Sequence, residues 1–443
     1  MPSFSRGLII AAVIAALILA VGALMLTCVI PGVKYCSDKN KAATLEVWGV
    51  FDDTDAFKPF IDAYRALRPS VKVNYRKMDA RDPKRYEQEL LEAFAAGRGP
   101  DIFFIHHTWL KRYLEKLRPL PEDLMALREF KETFVDVAVE DLTTDGQIYA
   151  LPLYVDTLAL YYNQDMLNSA RLSKAPATWT EFNAAVPKLV SVDARTGAVT
   201  RAAATIGTAK NINRSTDILA LLMLQSGTAI VDRKTSQVVM DESKQLNGQA
   251  HRPGLNALEF YTAFTDPGRS VYTWGVGSNF HWSVDAFAEE SAAMTFNYAY
   301  QLPVIRQKNP NLRFGISSMP QIENRTIDVN YASYWAPAVS FQSRNARAAW
   351  EFIIFASGKD AVVSYLKTTQ RPPARRDLIE TFRSDSNLGV FAEQALTARS
   401  FYQYDSSQVE QIFADMIETV VKREKTPNEA LETAVNAMRV ATK

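Results

Sequence analysis

Apolar residues run from Leu8 to Ile30 without a charge, broken only by Thr27 and Cys28 near the end. About 20 such residues at helical rise cross the hydrocarbon of a bilayer, so residues 8–30 read as a transmembrane anchor or uncleaved signal behind a short tail at 1–7. Lipidation at Cys28 is the alternative, although Met25-Leu26-Thr27 lacks the small residue expected just before a modified cysteine. Charge leaves the orientation open, with Arg6 on one side and Lys34, Lys39 and Lys41 on the other. A polar linker occupies 31–43.

Beyond the linker the period changes. Thr44 to Val50 is β-branched and aromatic, as a strand requires, and Ala56 to Leu67 places Phe57, Phe60, Ile61, Tyr64 and Leu67 at helical spacing. A strand at Val71 to Tyr75, a helix from Pro83 to Ala96 and a strand at Asp101 to Ile105 complete a β-α-β-α-β order, which predicts a parallel sheet covered by helices. Ligands of such sheets sit beyond the carboxyl ends of the strands. That rule selects Trp48 on the first strand with Asp52 and Asp53 after it, and His106, His107 and Thr108 after the third. Two more strands come after Gly146. Thr178 with Glu181 three residues on forms a capping box that starts a helix. Further helices are expected at Thr216–Gln225, Leu255–Phe264, Ala346–Ala356, Ala361–Thr368 and Gln408–Lys422, with a small exposed hairpin or loop between Asp232 and Arg252.

At 443 residues, the chain exceeds what one core sustains, so two domains are expected. Fifty Lys plus Arg against 49 Asp plus Glu leave a formal charge of +1, which disfavours nucleic-acid binding. The only cysteines, Cys28 and Cys36, precede the folded region, as suits an oxidising exterior.

Several segments taken in order resemble the family 1 extracellular solute-binding proteins of ABC importers, the maltose-binding protein group. They are Gly99-Pro100-Asp101-Ile102, Asp145 to Pro152 (DGQIYALP), Tyr161 to Leu167 (YYNQDML), Pro176 to Phe182 and Phe287 to Asn297 (FAEESAAMTFN), with weaker echoes at Ala349 to Phe352 and Pro372 to Arg375. The resemblance implies a periplasmic-binding-protein-like α/β fold, in which two lobes joined by crossing segments close over a ligand. The first lobe is expected at 44–152 plus about 314–358, the second at 153–313 plus about 359–443. It also implies a monomer without cofactor that captures a sugar outside the cytoplasm for a transporter permease. Tyr298 departs from the family, which often has Gly there.

A sugar offers hydroxyls to hydrogen-bond and flat C–H faces to pack on aromatics, so carboxylates and amides beside Trp and Tyr are the residues to seek. By the resemblance, Asp156 occupies an acidic contact, Tyr300 a stacking position, and the stretch Asn213 to Thr216 a polar contact from the second lobe. Tyr154 shares the crossing with Asp156. Asn297 and Tyr298 end the MTF strand, Trp274 flanks a Gly-containing loop, and Tyr334 with Trp335 precedes a strand returning to the first lobe. Arg371 and Tyr402 complete the candidates. Each has a plain structural alternative: core burial for Trp48, turn chemistry for Asp52 and Asp53, hinge packing for Tyr154, a surface ion pair for Arg371, helix docking for the run at 401–404. Two adjacent histidines invite a metal, but neighbouring strand side chains point to opposite faces and only His251 and His281 could join them. A glycosidase would need two carboxylates at about 5 to 9 Å. No nucleophile elbow, phosphate loop or zinc helix motif is present, so an enzyme is disfavoured, and a tethered sensor or adhesin is the remaining alternative.

Overall fold

The alternating segment around Val47 becomes strand β1, Ala43–Gly49, with Leu45 and Val47 buried. Helix α1, Thr54–Leu67, buries Phe57, Phe60 and Tyr64, with Phe57 against Tyr75 and Phe104 of the sheet. Strand β2 (Val71–Lys77), helix α2 (Pro83–Ala95) and strand β3 (Ile102–His106) come next, as their periodicities predict. These are elements of a computed structural model that describes residues 41–78, 83–246, 249–275 and 282–441. The expected membrane segment 8–30, Cys28, Cys36, residues 276–278 of the Gly-containing loop and His281 lie outside the described residues. Among the described residues no helix is long and apolar enough to cross a membrane.

β1 pairs in parallel with both β2 and β3. A fourth strand, Trp335–Val339, joins β3 antiparallel and sets Trp335 opposite His106. A second sheet centres on Ala159–Asn163, flanked antiparallel by Met294–Asn297 and Phe314–Ser317. Two apolar cores result. The first contains Leu45, Phe103, Phe130 and Trp350, the second Phe182, Ile218, Tyr261 and Leu431. One face of the second sheet, through Tyr161 and Phe391, is continuous with the first core.

Three short strands join the cores. Asp156–Thr157 pairs antiparallel with Asn330–Ser333, which pairs in parallel with Ala398–Arg399. At each the chain changes core: from Val155 to Leu158, from Tyr331 to Ala332, and from Ala398 to Phe401. This corrects two expected lobe boundaries. Phe314–Ser317 belongs to the second sheet, so the chain returns to the first core at 331–332 and not at 314. The helix Lys359–Thr369 packs Tyr365 against Phe57 and Phe60 of α1, so the chain leaves the first core at 398–401 and not at 359. The sequence signal failed because helices 346–369 look alike whichever core they cover.

The expected hairpin appears as Lys244–Leu246 paired antiparallel with Gln249–His251. The capping box forms with one change. Thr178 Oγ1 accepts the Glu181 N–H at 3.1 Å, but the Glu181 carboxylate reaches back one residue further, to the Ala177 N–H at 2.7 Å. The helix it starts, Trp179–Leu189, buries Trp179 and Phe182 in the second core. Thr178→Ala is expected to cost about 1 kcal/mol in denaturant unfolding, against less than about 0.5 kcal/mol for the exposed Thr180→Ala. Equal effects would contradict the cap.

Candidate functional site

The carboxyl end of β3 turns directly into a 3-10 turn, His107–Trp109, so successive side chains no longer alternate across a sheet. His106 and His107 consequently line the same cavity, their ring centroids 4.4 Å apart, contrary to the opposite-faces expectation. The cavity, about 400 Å³, lies where the two cores face each other across the crossing strands.

The first core contributes an aromatic wall. Trp335 meets Phe51, Trp109 and His106 edge to face, at centroid distances of 5.6, 4.9 and 5.4 Å. Trp109 Nε1 donates to Ser406 Oγ at 3.2 Å, closing that wall against the helix Ser406–Val421 of the second core. Both His106 nitrogens are engaged, Nδ1 with Thr108 Oγ1 at 2.7 Å and Nε2 with Ser333 Oγ at 3.2 Å. Burial, then the neighbouring His107, pushes its basicity well below the usual histidine range.

Arg371 enters from below the wall. Its guanidinium lies 4.2 Å from the Tyr154 ring centroid, Nη2 donates to Asp52 Oδ1 at 3.1 Å, and Nε is buried with no hydrogen-bond partner among the described residues. Asp52 is therefore a holder of Arg371, and Tyr365 donates to its other oxygen at 2.6 Å. The surface-pair reading of Arg371 is overturned by its burial, with only 8% of its area exposed.

The second core answers with Arg214, Thr216, Asp217 and Tyr300. Arg214 stands in the left-handed region at φ 64°, immediately before the helix Ser215–Gln225, a conformation that bulky residues rarely adopt and that strain at binding sites often explains. Its Nε donates to Tyr300 Oη at 2.9 Å, and its terminal nitrogens have no partner among the described residues. Asp217 Oδ2 accepts from Tyr298 Oη at 2.8 Å. Burial pushes the Asp217 carboxyl up, with Arg214 opposing. Glu410 is raised too, by burial first and by Asp217 second.

Asp156 sits on the crossing sheet at the cavity floor. Its Oδ1 accepts from the N–H of Thr157 at 2.9 Å and Ala299 at 3.0 Å, and its Oδ2 accepts from Tyr300 at 3.3 Å. Burial nevertheless raises its carboxyl to about 6. The carboxylate thus ties the crossing to the turn that carries Tyr300.

Seven expected residues line this cavity: His106, His107, Tyr154, Asp156, Tyr300, Trp335 and Arg371. The others do not. Trp48 is near the carboxyl end of β1, but its side chain alternates with the buried Leu45 and Val47 and lies half-buried on the other face, under Arg76. Asp53 is exposed and pairs with Lys77 at 2.7 Å. Asn297 is buried, bonding Asn213 Oδ1 at 2.9 Å. Tyr298 lies behind the wall, holding Asp217. Trp274 is fully buried in the second core, with Nε1 donating to Asn211. Tyr334 points away from Trp335, as strand alternation requires, and donates to Asp141 at 3.0 Å. Tyr402 lies under Lys111, 4.2 Å from its ring centroid. Sequence reasoning missed Phe51, Trp109, Asp217, Tyr331 and Glu410, whereas Phe401 and Gln403 of the flagged run 401–404 do line the cavity. Arg214 fell inside the flagged stretch 213–216, but no pattern announced its backbone.

A family model described as "bacterial extracellular solute-binding protein" matches residues 60–389. The protein belongs to that family. Members of this solute-binding family are binding proteins, and the binding domain of an extracellular solute-binding protein works outside the cytoplasm. A binding protein of Brucella abortus is 23% identical over 350 residues, covering 77% of this chain and 79% of its own. A galactooligosaccharide-binding protein of Bacillus subtilis is 19% identical over 420 residues, 90% of each chain. Among solved structures, the cyclic α-maltosyl-1,6-maltose binding protein from Arthrobacter globiformis superposes with a TM-score of 0.74 at 18% identity, covering 91% of this solute-binding protein and 99% of the other chain. The shared fold is the mixed α/β periplasmic-binding-protein type.

A carboxylic acid whose folded-state value is raised contributes its stability below the unfolded value, near 4, and loses it as pH rises through the folded value. For Asp156 that window is about pH 4 to 6. Carboxyl-carbon NMR is expected to show Asp156 titrating near 6, and a midpoint near 4 would contradict its burial.

Proposed function

We propose that this protein captures a neutral saccharide outside the cytoplasm and delivers it to the permease of an ABC importer, as a monomer tethered through residues 8–30 and without catalysing a reaction. The observation that carries the reading is a cavity in which a Trp335–Trp109–Phe51 wall faces Arg214, Asp217 and Tyr300. Aromatic faces cover the C–H surface of a sugar ring. Guanidinium and carboxylate groups supply charge-assisted bonds to its hydroxyls.

Charge supports a neutral ligand over an ion. Arg371 is balanced by Asp52, Arg214 faces Asp217, and the Asp156 oxygens are occupied by backbone N–H groups. The volume, about 400 Å³, suits one or a few sugar rings. Relatives named for galactooligosaccharide and multiple-sugar binding agree with this class. Wall and polar groups come from opposite cores, so a bound sugar bridges them and favours the closed arrangement by its differential affinity.

Calorimetric titration of the protein with mono- and oligosaccharides, polyols, amino acids and peptides tests this. A saccharide is expected to bind, and Trp335→Ala to weaken it at least about 30-fold. Binding of amino acids or peptides alone would overturn the ligand class.

A further inference from the structure

Asp141 makes more of its surroundings than any other carboxylate near the cavity. Its side chain is 4% exposed, on the helix Asp136–Leu142 of the first core. Oδ2 bonds His107 Nδ1 at 2.8 Å and accepts from Tyr334 Oη at 3.0 Å. Oδ1 accepts from Ser400 Oγ at 2.5 Å and from Arg233 Nη2 at 2.8 Å. Arg233 comes from the other side. It rides a turn between Val231 and Val238, both in the second core, and Asp232 Oδ1 locks that turn by accepting from Lys234 N, Thr235 N and Thr235 Oγ1. The guanidinium also donates to Ser400 O at 3.2 Å and Glu140 O at 3.3 Å.

We propose that Asp141 is a positioning residue with two linked tasks: it sets the proton of His107, and it clasps the second core through Arg233. A carboxylate beside Nδ1 requires the proton there, which leaves His107 Nε2 as an acceptor. That nitrogen has no partner among the described residues, and His107 lines the cavity while its ring stacks on Tyr334 at 4.7 Å. His107 therefore accepts a ligand hydroxyl, whereas His106, with both nitrogens used, does not. Arg233 neutralises the same carboxylate from the opposing core, so the clasp forms only when the cores approach as they do here. Holding charge in a buried site is costly once its partner is gone, which makes the contact selective for the closed arrangement.

Two readouts on the full chain need no ligand. In ¹⁵N-histidine spectra near neutral pH, His107 is expected to carry its proton on Nδ1 alone, and Asp141→Ala to move it to Nε2; Arg233→Ala should leave it in place. A wild-type ring protonated on Nε2, neutral or cationic, overturns the first task, as does an unchanged D141A spectrum. For the clasp, spin labels at cysteines replacing Glu132 and Glu432, with Cys28 and Cys36 changed to serine, report the distance between cores. Arg233→Ala and the conservative Asp141→Asn are each expected to raise the ratio of long to short distances about tenfold, and the double variant no further. Lys234→Ala, on the same turn, should leave the ratio unchanged. A wild type lacking the short distance, or an R233A distribution superimposable on wild type, overturns the clasp.

Discussion

Three backbone crossings between the cores must hydrogen-bond to one another, and the site depends on that requirement. Asp156–Thr157, Asn330–Ser333 and Ala398–Arg399 each satisfy part of their buried backbone only because the others lie alongside. Pairing fixes where the chain re-enters each core, and with it the residues delivered just beyond each crossing. Trp335 lies just past the second; Phe401 and Gln403 lie just past the third. The Asp156 carboxylate extends the same network into the second core by accepting the Ala299 and Tyr300 N–H groups. Those bonds keep a buried carboxylate tolerable, and burial still outweighs them, leaving Asp156 a weaker acid than an exposed aspartate.

Around that floor the polar groups are held before any ligand arrives. Asp52 and Tyr154 hold Arg371, Tyr300 holds Arg214, and Tyr298 holds Asp217. Each holder is itself buried or packed, so little side-chain entropy remains to be lost on binding. The left-handed backbone at Arg214 costs stability locally, and the long helix behind it, Ser215–Gln225, is buried almost throughout and keeps the residue there.

Much of the fold was legible because hydrophobic periods report local structure. β1 through β3 and the helix Ala346–Ala356 fall where their patterns place them. Strand-end logic found the histidines, and the resemblance found Asp156 and Tyr300. What failed was non-local. Trp48 and Trp335 are both strand tryptophans, and only the face and neighbours that strand pairing gives each separate the one half-buried under Arg76 from the one in the cavity wall. Asp52 and Arg371 are 319 residues apart, so the ion pair that turns one candidate into the holder of another leaves no trace in sequence. The 314 and 359 boundaries failed for the same reason. Tyr298, where the family often has Gly, does not narrow the cavity; it lies behind it and orients Asp217.

The central claim is that a saccharide joins the two cores across this cavity. Small-angle scattering of the ligand-free protein and of the protein saturated with a saccharide that binds it addresses the claim most directly. The account predicts a smaller radius of gyration on saturation, as the population shifts to the closed arrangement. A profile unchanged at full saturation would contradict it.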